Sequence, residues 1–389
     1  MNSIKINQNQ LEYLTKTRRD LHKIPELGFN LEKTVSYILN EFDTHKIEYN
    51  VDEFNIIIVD IGKGSKTLML RADMDALPII EETNLEYCST NNNMHACGHD
   101  FHTSLLISLA IILKKNEKLL KNKVRLIFQP AEETIEGAKK IVEKGYVNNI
   151  NNAIMLHVFP NIEVPSGTLL IPREGYNTLS TDFFKIKIIG KGGHSAMLEN
   201  TVDPIIVASH LILNLMNIGS KEVSMLNPTS ISVGKMTSGT KNNIIADEAI
   251  IEGSIRSFDD KNKDFVYKRI NEITKLTASM FRASSEVNIV SGCRSVYSDK
   301  QLLEQINNSL NEEKILFDYV DNYFEKGKIL FGEDFSYIST IIPSAILLVA
   351  AGKKTEGFKF PLHNSKVLFD EKLLENALNA LLAISFNYN

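Results

Sequence analysis

Apolar positions in this chain recur with two different periods. The segment NQLEYLTKTRRDLHKIPE, residues 9–26, predicts a helix ended by Pro25, and LEKTVSYILNEF, residues 31–42, predicts a second with Val35, Ile38, Leu39 and Phe42 on one face. Short apolar runs then follow at TLMLRADMD, VRLIFQPAEE, NAIMLHVFP and AILLVAAG, and helical stretches such as TSLLISLAIILKK alternate with some of them. Strands that are apolar on both faces need cover on both sides. The pattern therefore predicts an α/β/α sandwich with a largely parallel or mixed sheet.

Residues 180–291 carry another pattern. In TDFFKIKIIG, Phe184, Ile186 and Ile188 alternate with Lys185 and Lys187, as expected of a strand with one wet face. Helix (DPIIVASHLILNLMN), strand (TSISVGKM), strand (NIIADEAIIEGSIRSF), helix (DFVYKRINEITKLTASMF) and strand (SEVNIV) follow. This is a βαββαβ, ferredoxin-like unit that can fold as a domain of its own. The expected organisation is a discontinuous α/β domain of residues 1–179 and 292–389 with residues 180–291 inserted into it. The length of 389 residues accommodates this, since domains commonly take roughly 100–200 residues each.

Composition changes little. The hydrophobic and charged shares are those of ordinary globular chains, and a net charge of -5 gives no general attraction to nucleic acid or anionic membrane. The start, MNSIKINQNQ, is polar and lacks an apolar signal core, and LLISLAIIL and SAILLVAAG are too short to span a bilayer. A soluble cytoplasmic protein is expected. The three cysteines suit a reducing compartment, with Cys88 and Cys293 read as small hydrophobes.

Against that background the stretch NMHACGHDFHTS is unusual: His95, Cys97, His99 and His102 lie together in a chain with 9 histidines and 3 cysteines. Cys97 and His99 sit at the mouth of a helix, where both can reach one ion. Other donors stand at strand ends: Glu132 and Glu133 after VRLIFQPA, His157 in IMLHVF, and His363 in the loop FKFPLHNS. Taken singly, these read as a solvated helix N-terminus, a hydrogen-bonded core histidine and a surface residue. In open α/β sheets, however, functional groups gather at the carboxyl ends of strands. Cys97, His99, Glu133, His157 and His363 together suit two borderline-soft divalent ions, with Cys97 or a water bridging them. Glu132 is then free to act as a base, which is the layout of a metal hydrolase. No Gly-x-Ser-x-Gly elbow suggests a serine hydrolase instead.

The ordered motifs RRDLHKIPELGF, LRADMDALP, MHACGHDFHTS, FQPAEE, LHVFP, GKGGHSA, NNIIADEAIIEGSIRSF, GEDFS and PLHNS cover nearly the whole chain. In them the sequence resembles the metal-dependent peptidases and amidohydrolases that include aminoacylase, hippurate hydrolase, auxin-conjugate hydrolases and N-acetyl-diaminopimelate deacetylase. Cys-Gly-His-Asp with Ala-Glu-Glu is similar to the amidohydrolase branch of that family. The resemblance implies that Cys97, His99, Glu133, His157 and His363 ligate up to two divalent ions, with Mn, Zn, Co and Ni all chemically suitable. It also implies that Glu132 is the general base and that Asp75 supports the metal site. Asp73 stands where relatives outside this branch have a histidine ligand, and it is not expected to be a ligand itself.

In the inserted domain, His194 matches a histidine that reaches into the partner protomer's site to polarise the scissile carbonyl, and Asn243 and Arg256 match residues that bind the substrate's carboxylate. The implied assembly is a homodimer formed through that domain, which would also act as a lid. Without the resemblance, His194 reads as an exposed turn residue and Arg256 as a strand-surface cation. One departure concerns specificity: Leu198 and Glu199 replace the Pro-His that commonly continues the His194 motif. His102 and His22 also fit the family pattern, the first beside the metal site and the second without an assigned role, while His45, His95 and His210 read as structural or surface residues. The expected activity is cleavage of N-acetyl or N-benzoyl amino acids to a carboxylate and a free amino acid. Hydrolysis of short peptides at the same site, and a metal-bearing binding protein without catalysis, are the alternatives.

Overall fold

Asn7 begins the first helix, Gln8–His22, with a reciprocal cap: its side chain accepts from the Gln10 N–H, and the Gln10 side chain accepts from the Asn7 N–H. The second helix, Glu32–His45, buries Val35, Ile38 and Phe42, and Leu39 packs against the same core. The computed structural model describes residues 5–225, 229–258 and 260–389, so the first four residues of the polar start lie outside the description. Among the described residues no helix is long and apolar enough to cross a membrane.

The chain divides into two compact units, one made of Met1–Asn177, Val296–Ile329 and Asp334–Asn389, the other of Thr178–Ser295 and Leu330–Glu333. The first is built on an eight-stranded mixed sheet. Its strand order is Asn50–Val51, Ile57–Ile61, Lys123–Gln129, Thr67–Asp73, Asn152–Phe159, Ser344–Ala350, Leu169–Ile171 and Phe317–Tyr319. Four adjacent strands in the middle of this order, Lys123–Gln129 through Ser344–Ala350, run parallel. They are nearly all buried, as the continuous apolar runs require. The helix His99–Lys115 is buried from His99 through Leu113 and shares the core with the helix Leu373–Asn387. A helix apolar all round belongs in an interior.

The second unit is a four-stranded antiparallel sheet in the order Thr229–Ser238, Glu248–Ser257, Ser180–Ile189, Ser284–Cys293. Phe184, Ile186 and Ile188 join Val207 and Leu211 of the helix Pro204–Asn217 and Val266 and Ile270 of the helix Asp260–Met280 in one core. On the alternate positions Lys185 pairs with Glu252 and Lys187 with Glu248. Leu330–Glu333 belongs to this unit although it lies far along the chain, in part because the Leu179 N–H donates to the Phe331 carbonyl at 3.0 Å. A backbone contact of that kind leaves no side-chain pattern to read.

Candidate metal centre

Parallel strands aim their carboxyl ends in one direction, and the first unit places its candidate donors there. Asp73 ends the strand Thr67–Asp73, His157 lies near the end of Asn152–Phe159, and Glu132 and Glu133 follow Lys123–Gln129. Cys97 and His99 flank Gly98, which caps the helix His99–Lys115 at φ 84°. A Cβ on Gly98 would come within 2.3 Å of Val158 Cγ2, so only glycine both turns here and lets the helix approach the His157 strand. Ala131 and His363 also take left-handed backbone angles, φ 56° and 65°. Such strained residues persist where surrounding bonds hold them: the Ala131 N–H donates to Gly28 O at 3.1 Å, and the His363 N–H to Ala96 O at 3.0 Å.

Among the described residues, two of the possible donor groups share one cysteine, and another joins His99 to both Glu132 and Glu133. The ligand atoms of Cys97, His99 and His157 lie within 4.8 Å of one another, as do those of Cys97, Glu133 and His363. Cys97 is common to both, with its Sγ 3.5 Å from His157 Nε2 and 3.4 Å from His363 Nε2. His99 Nδ1 is 2.8 Å from the Asp75 carbonyl, and His157 Nδ1 is 2.7 Å from the Val158 carbonyl. A carbonyl can only accept, so each Nδ1 carries a proton and each Nε2 turns a donor lone pair inward when the ring is neutral. Among the described residues, His99 Nε2 and Glu133 Oε1 are buried without a hydrogen-bond partner, 4.0 Å from each other, with His363 Nε2 3.5 Å from the carboxylate. Buried polar atoms are costly unless something binds them, and this mixed N, O and S set fits a pair of divalent cations.

The surroundings act differently on each donor. Burial would push the His99 imidazole down, but Asp73, the Asp75 bond and Glu133 bring it up to about 10. Glu133 is pushed up to about 7, chiefly by burial and further by Asp75 and Asp73, against the opposing His99. His157 is pushed well below the ordinary histidine range, chiefly by burial and then by His102. The acidic neighbours favour a positive charge at His99, whereas burial and neighbouring imidazoles disfavour one at His157 and His363.

Asp75 supports the glutamates through the backbone: Oδ1 accepts from the Glu132 N–H at 3.0 Å and Oδ2 from the Glu133 N–H at 3.1 Å. Asp73 lies 3.8 Å from His99 Nε2. Its Oδ2, however, takes Arg71 Nη1 at 2.5 Å and its Oδ1 takes His102 Nδ1 at 2.5 Å. His102 Nε2 in turn accepts from the Val158 N–H at 2.9 Å. Asp73 and His102 are therefore consumed in a hydrogen-bonded chain next to the donors, although their positions alone form a further possible cation group with His99.

Cys97, His99, Glu132, Glu133, His157, His363 and Asp75 thus come together. His194, Asn243 and Arg256 lie in the second unit. There His194 pairs with Ile244 in a short antiparallel bridge, the Ser195 N–H donates to Asn243 O at 3.4 Å, and Arg256 Nη1 donates to Thr181 Oγ1 at 3.2 Å. His22 has a structural position: its Nδ1 meets Asp100 at 2.8 Å and its Nε2 meets Glu81 at 3.2 Å, which ties down the start of the His99 helix. His95 is buried, in keeping with a structural residue. Three residues next to the site went unread in the sequence: Arg71, Gln129 and Asp334. A charged residue inside the apolar strand TLMLRAD was the available signal.

The description Peptidase family M20/M25/M40 matches residues 69–386. N-acetyl-L-cysteine deacetylase of Bacillus subtilis (strain 168) is 36% identical over 345 residues, covering 87% of this chain and 81% of that protein. Thermostable carboxypeptidase 1 of Saccharolobus solfataricus is 33% identical, covering 97% of this chain and 96% of that protein. Among solved structures, a dinuclear metal-binding peptidase from Bacillus subtilis superimposes with a TM-score of 0.82 at 28% identity, covering 98% of each chain.

Proposed function

We propose, from the premise that the chain belongs to peptidase family M20/M25/M40, that it is a metal-dependent amidohydrolase cleaving N-acyl amino acids to a carboxylate and a free amino acid. The observation that carries this reading is the pair Glu132–Glu133. Asp75 fixes both backbones, Glu133 faces the Cys97 donors, and Glu132 stands beside them as an additional carboxylate outside the two groups that share Cys97. A closed structural metal site needs no such additional group. This speaks against a binding protein without catalysis.

Cys97, His99 and His157 would hold one divalent ion and Cys97, Glu133 and His363 a second, which when bound would polarise the acyl carbonyl and acidify water. Glu132 takes the proton of the attacking water and delivers it to the leaving nitrogen. His99 and His157 keep their donor nitrogens inward because Asp75 O and Val158 O hold the opposite ring nitrogens. In this reading His194 polarises the scissile carbonyl from the partner protomer of a homodimer formed through the second unit, and Asn243 and Arg256 grip the substrate's free carboxylate. A guanidinium fork suits a carboxylate well. Mn, Zn, Co and Ni all suit the donor set, and a cytoplasmic location would keep Cys97 reduced.

The carboxypeptidase name of one relative gives a second reading, hydrolysis of short peptides at the same site. Both are tested by amine release from N-acetyl amino acids, N-benzoyl amino acids and dipeptides, using chelated protein before and after addition of each of the four metals. Metal-dependent release that is faster from N-acyl amino acids supports the amidohydrolase. Faster release from dipeptides moves the assignment to the peptidase, and silence with metal demonstrably bound removes both.

A further inference from the structure

Two of the quoted motifs, LRADMDALP and GEDFS, contain charged residues that the mechanism leaves unused, Arg71 and Asp334. Both are fully buried. Arg71 Nη2 meets Asp334 Oδ1 at 2.6 Å, while its Nη1 holds Asp73 and its Nε donates to Gln129 Oε1 at 2.9 Å. The Gln129 amide nitrogen donates to both Asp334 oxygens, at 2.8 and 2.9 Å, and the Ala138 N–H donates to Oδ2 at 2.8 Å. Donors from Arg71, Gln129 and the Ala138 backbone thus reach both oxygens of this carboxylate, which also lies within 4.8 Å of a Glu132 carboxylate oxygen. Such a buried ion pair is weak evidence for stability, because desolvation offsets most of the attraction.

Its geometric consequence lies at the backbone of the same residue. The Asp334 N–H points at Glu132 Oε1 across 3.5 Å. We propose that Asp334, clamped by Arg71 and Gln129, is a positioning residue that orients the Glu132 carboxylate through its backbone N–H. The inference rests on the reading of Glu132 as the base. A neutral N–H sets the direction of a carboxylate without the pull of a full positive charge on its proton affinity, which suits a group that must accept a proton and release it. The bond is long in the free protein, and catalytic hydrogen bonds of this kind commonly shorten when the reactive complex forms. Asp75 fixes the glutamate's backbone and Asp334 its tip, so the two aspartates hold Glu132 at both ends.

The test uses the metal-loaded protein with Asp334→Asn and Gln129→Leu. Asp334→Asn turns one acceptor oxygen into a donor facing other donors, whereas Gln129→Leu keeps the Arg71–Asp334 pair and guards against a failure of the first variant to fold. In each folded variant kcat should fall, by about 10- to 100-fold for Asp334→Asn, as misplacement of a reacting group predicts. KM should stay within about twofold, since binding contacts are untouched, and ion content per chain should not change. In a Glu132→Asp background the further loss from Asp334→Asn should shrink to under about threefold, because both changes act on one carboxylate. Crystal structures of the variants should show the Glu132 side chain turned from its wild-type position. An undisturbed Glu132 with unchanged kcat, or equal losses in both backgrounds, overturns the proposal. If the wild type cleaves no substrate, the functional reading falls separately, while the crystallographic position of Glu132 still decides the clamp.

Discussion

Glu132 and Cys97 carry different burdens, and single substitutions separate them. Glu132→Gln keeps the shape of the side chain and removes its basicity, so turnover should fall by about 10²–10⁴-fold with ion content unchanged, as measured by steady-state kinetics and elemental analysis. Cys97 stands in both donor groups. Cys97→Ala should therefore lower ion content more than His157→Ala or His363→Ala, each of which belongs to only one of the two groups that share Cys97. A third prediction concerns Glu81. Burial would raise its carboxyl, but bonds from His22, Thr83 and the Ser89 N–H bring it down to about 2. Because this folded value lies below the ordinary 4.5, ionised Glu81 stabilises the fold above about pH 4.5, and that contribution fades as pH falls toward 2. Glu81→Gln should lower the melting temperature at pH 6 and do so less at pH 3.5.

At the scale of elements, the helix mouth at Cys97–His99 depends on one glycine. Gly98→Ala combines a left-handed φ with a clash against Val158, and strained overpacking of this kind costs about 1–3 kcal/mol. Denaturant unfolding should show that loss, with a drop in ion affinity because both flanking donors move. The helices and strands themselves were readable, since their periods are local: Val35, Ile38 and Phe42 are buried where a helical face predicts, and Phe184, Ile186 and Ile188 where a one-sided strand predicts. Asp73 illustrates the limit. It ends a strand among the donors, and only its bonds to Arg71 and His102 show that its oxygens are already engaged.

For the whole molecule, ions that bind only the folded first unit must stabilise it. Saturation at 100 times Kd contributes about 2.7 kcal/mol, so chelation should lower the melting temperature and any of the four metals that binds should restore it. The two kinds of sheet were legible because their burial patterns differ: the strands of one are apolar on both faces, and those of the other alternate. The strand order of the large sheet and the attachment of Leu330–Glu333 to the second unit were not, because they depend on pairings between distant segments.

The sequence alone determined which residue types were present: soft and hard donors in a set order, two adjacent glutamates after a strand, and the motifs of the family. Only the tertiary structure decided which atom of each residue does the work. Asp75 O and Val158 O set the histidine tautomers, Asp75 holds two glutamate backbones, and Arg71 meets Asp334 across most of the chain's length. The physical reason is range. Periodicity and residue type are properties of neighbouring positions, whereas a hydrogen bond between buried groups exists only after distant segments have packed and water has been excluded from between them.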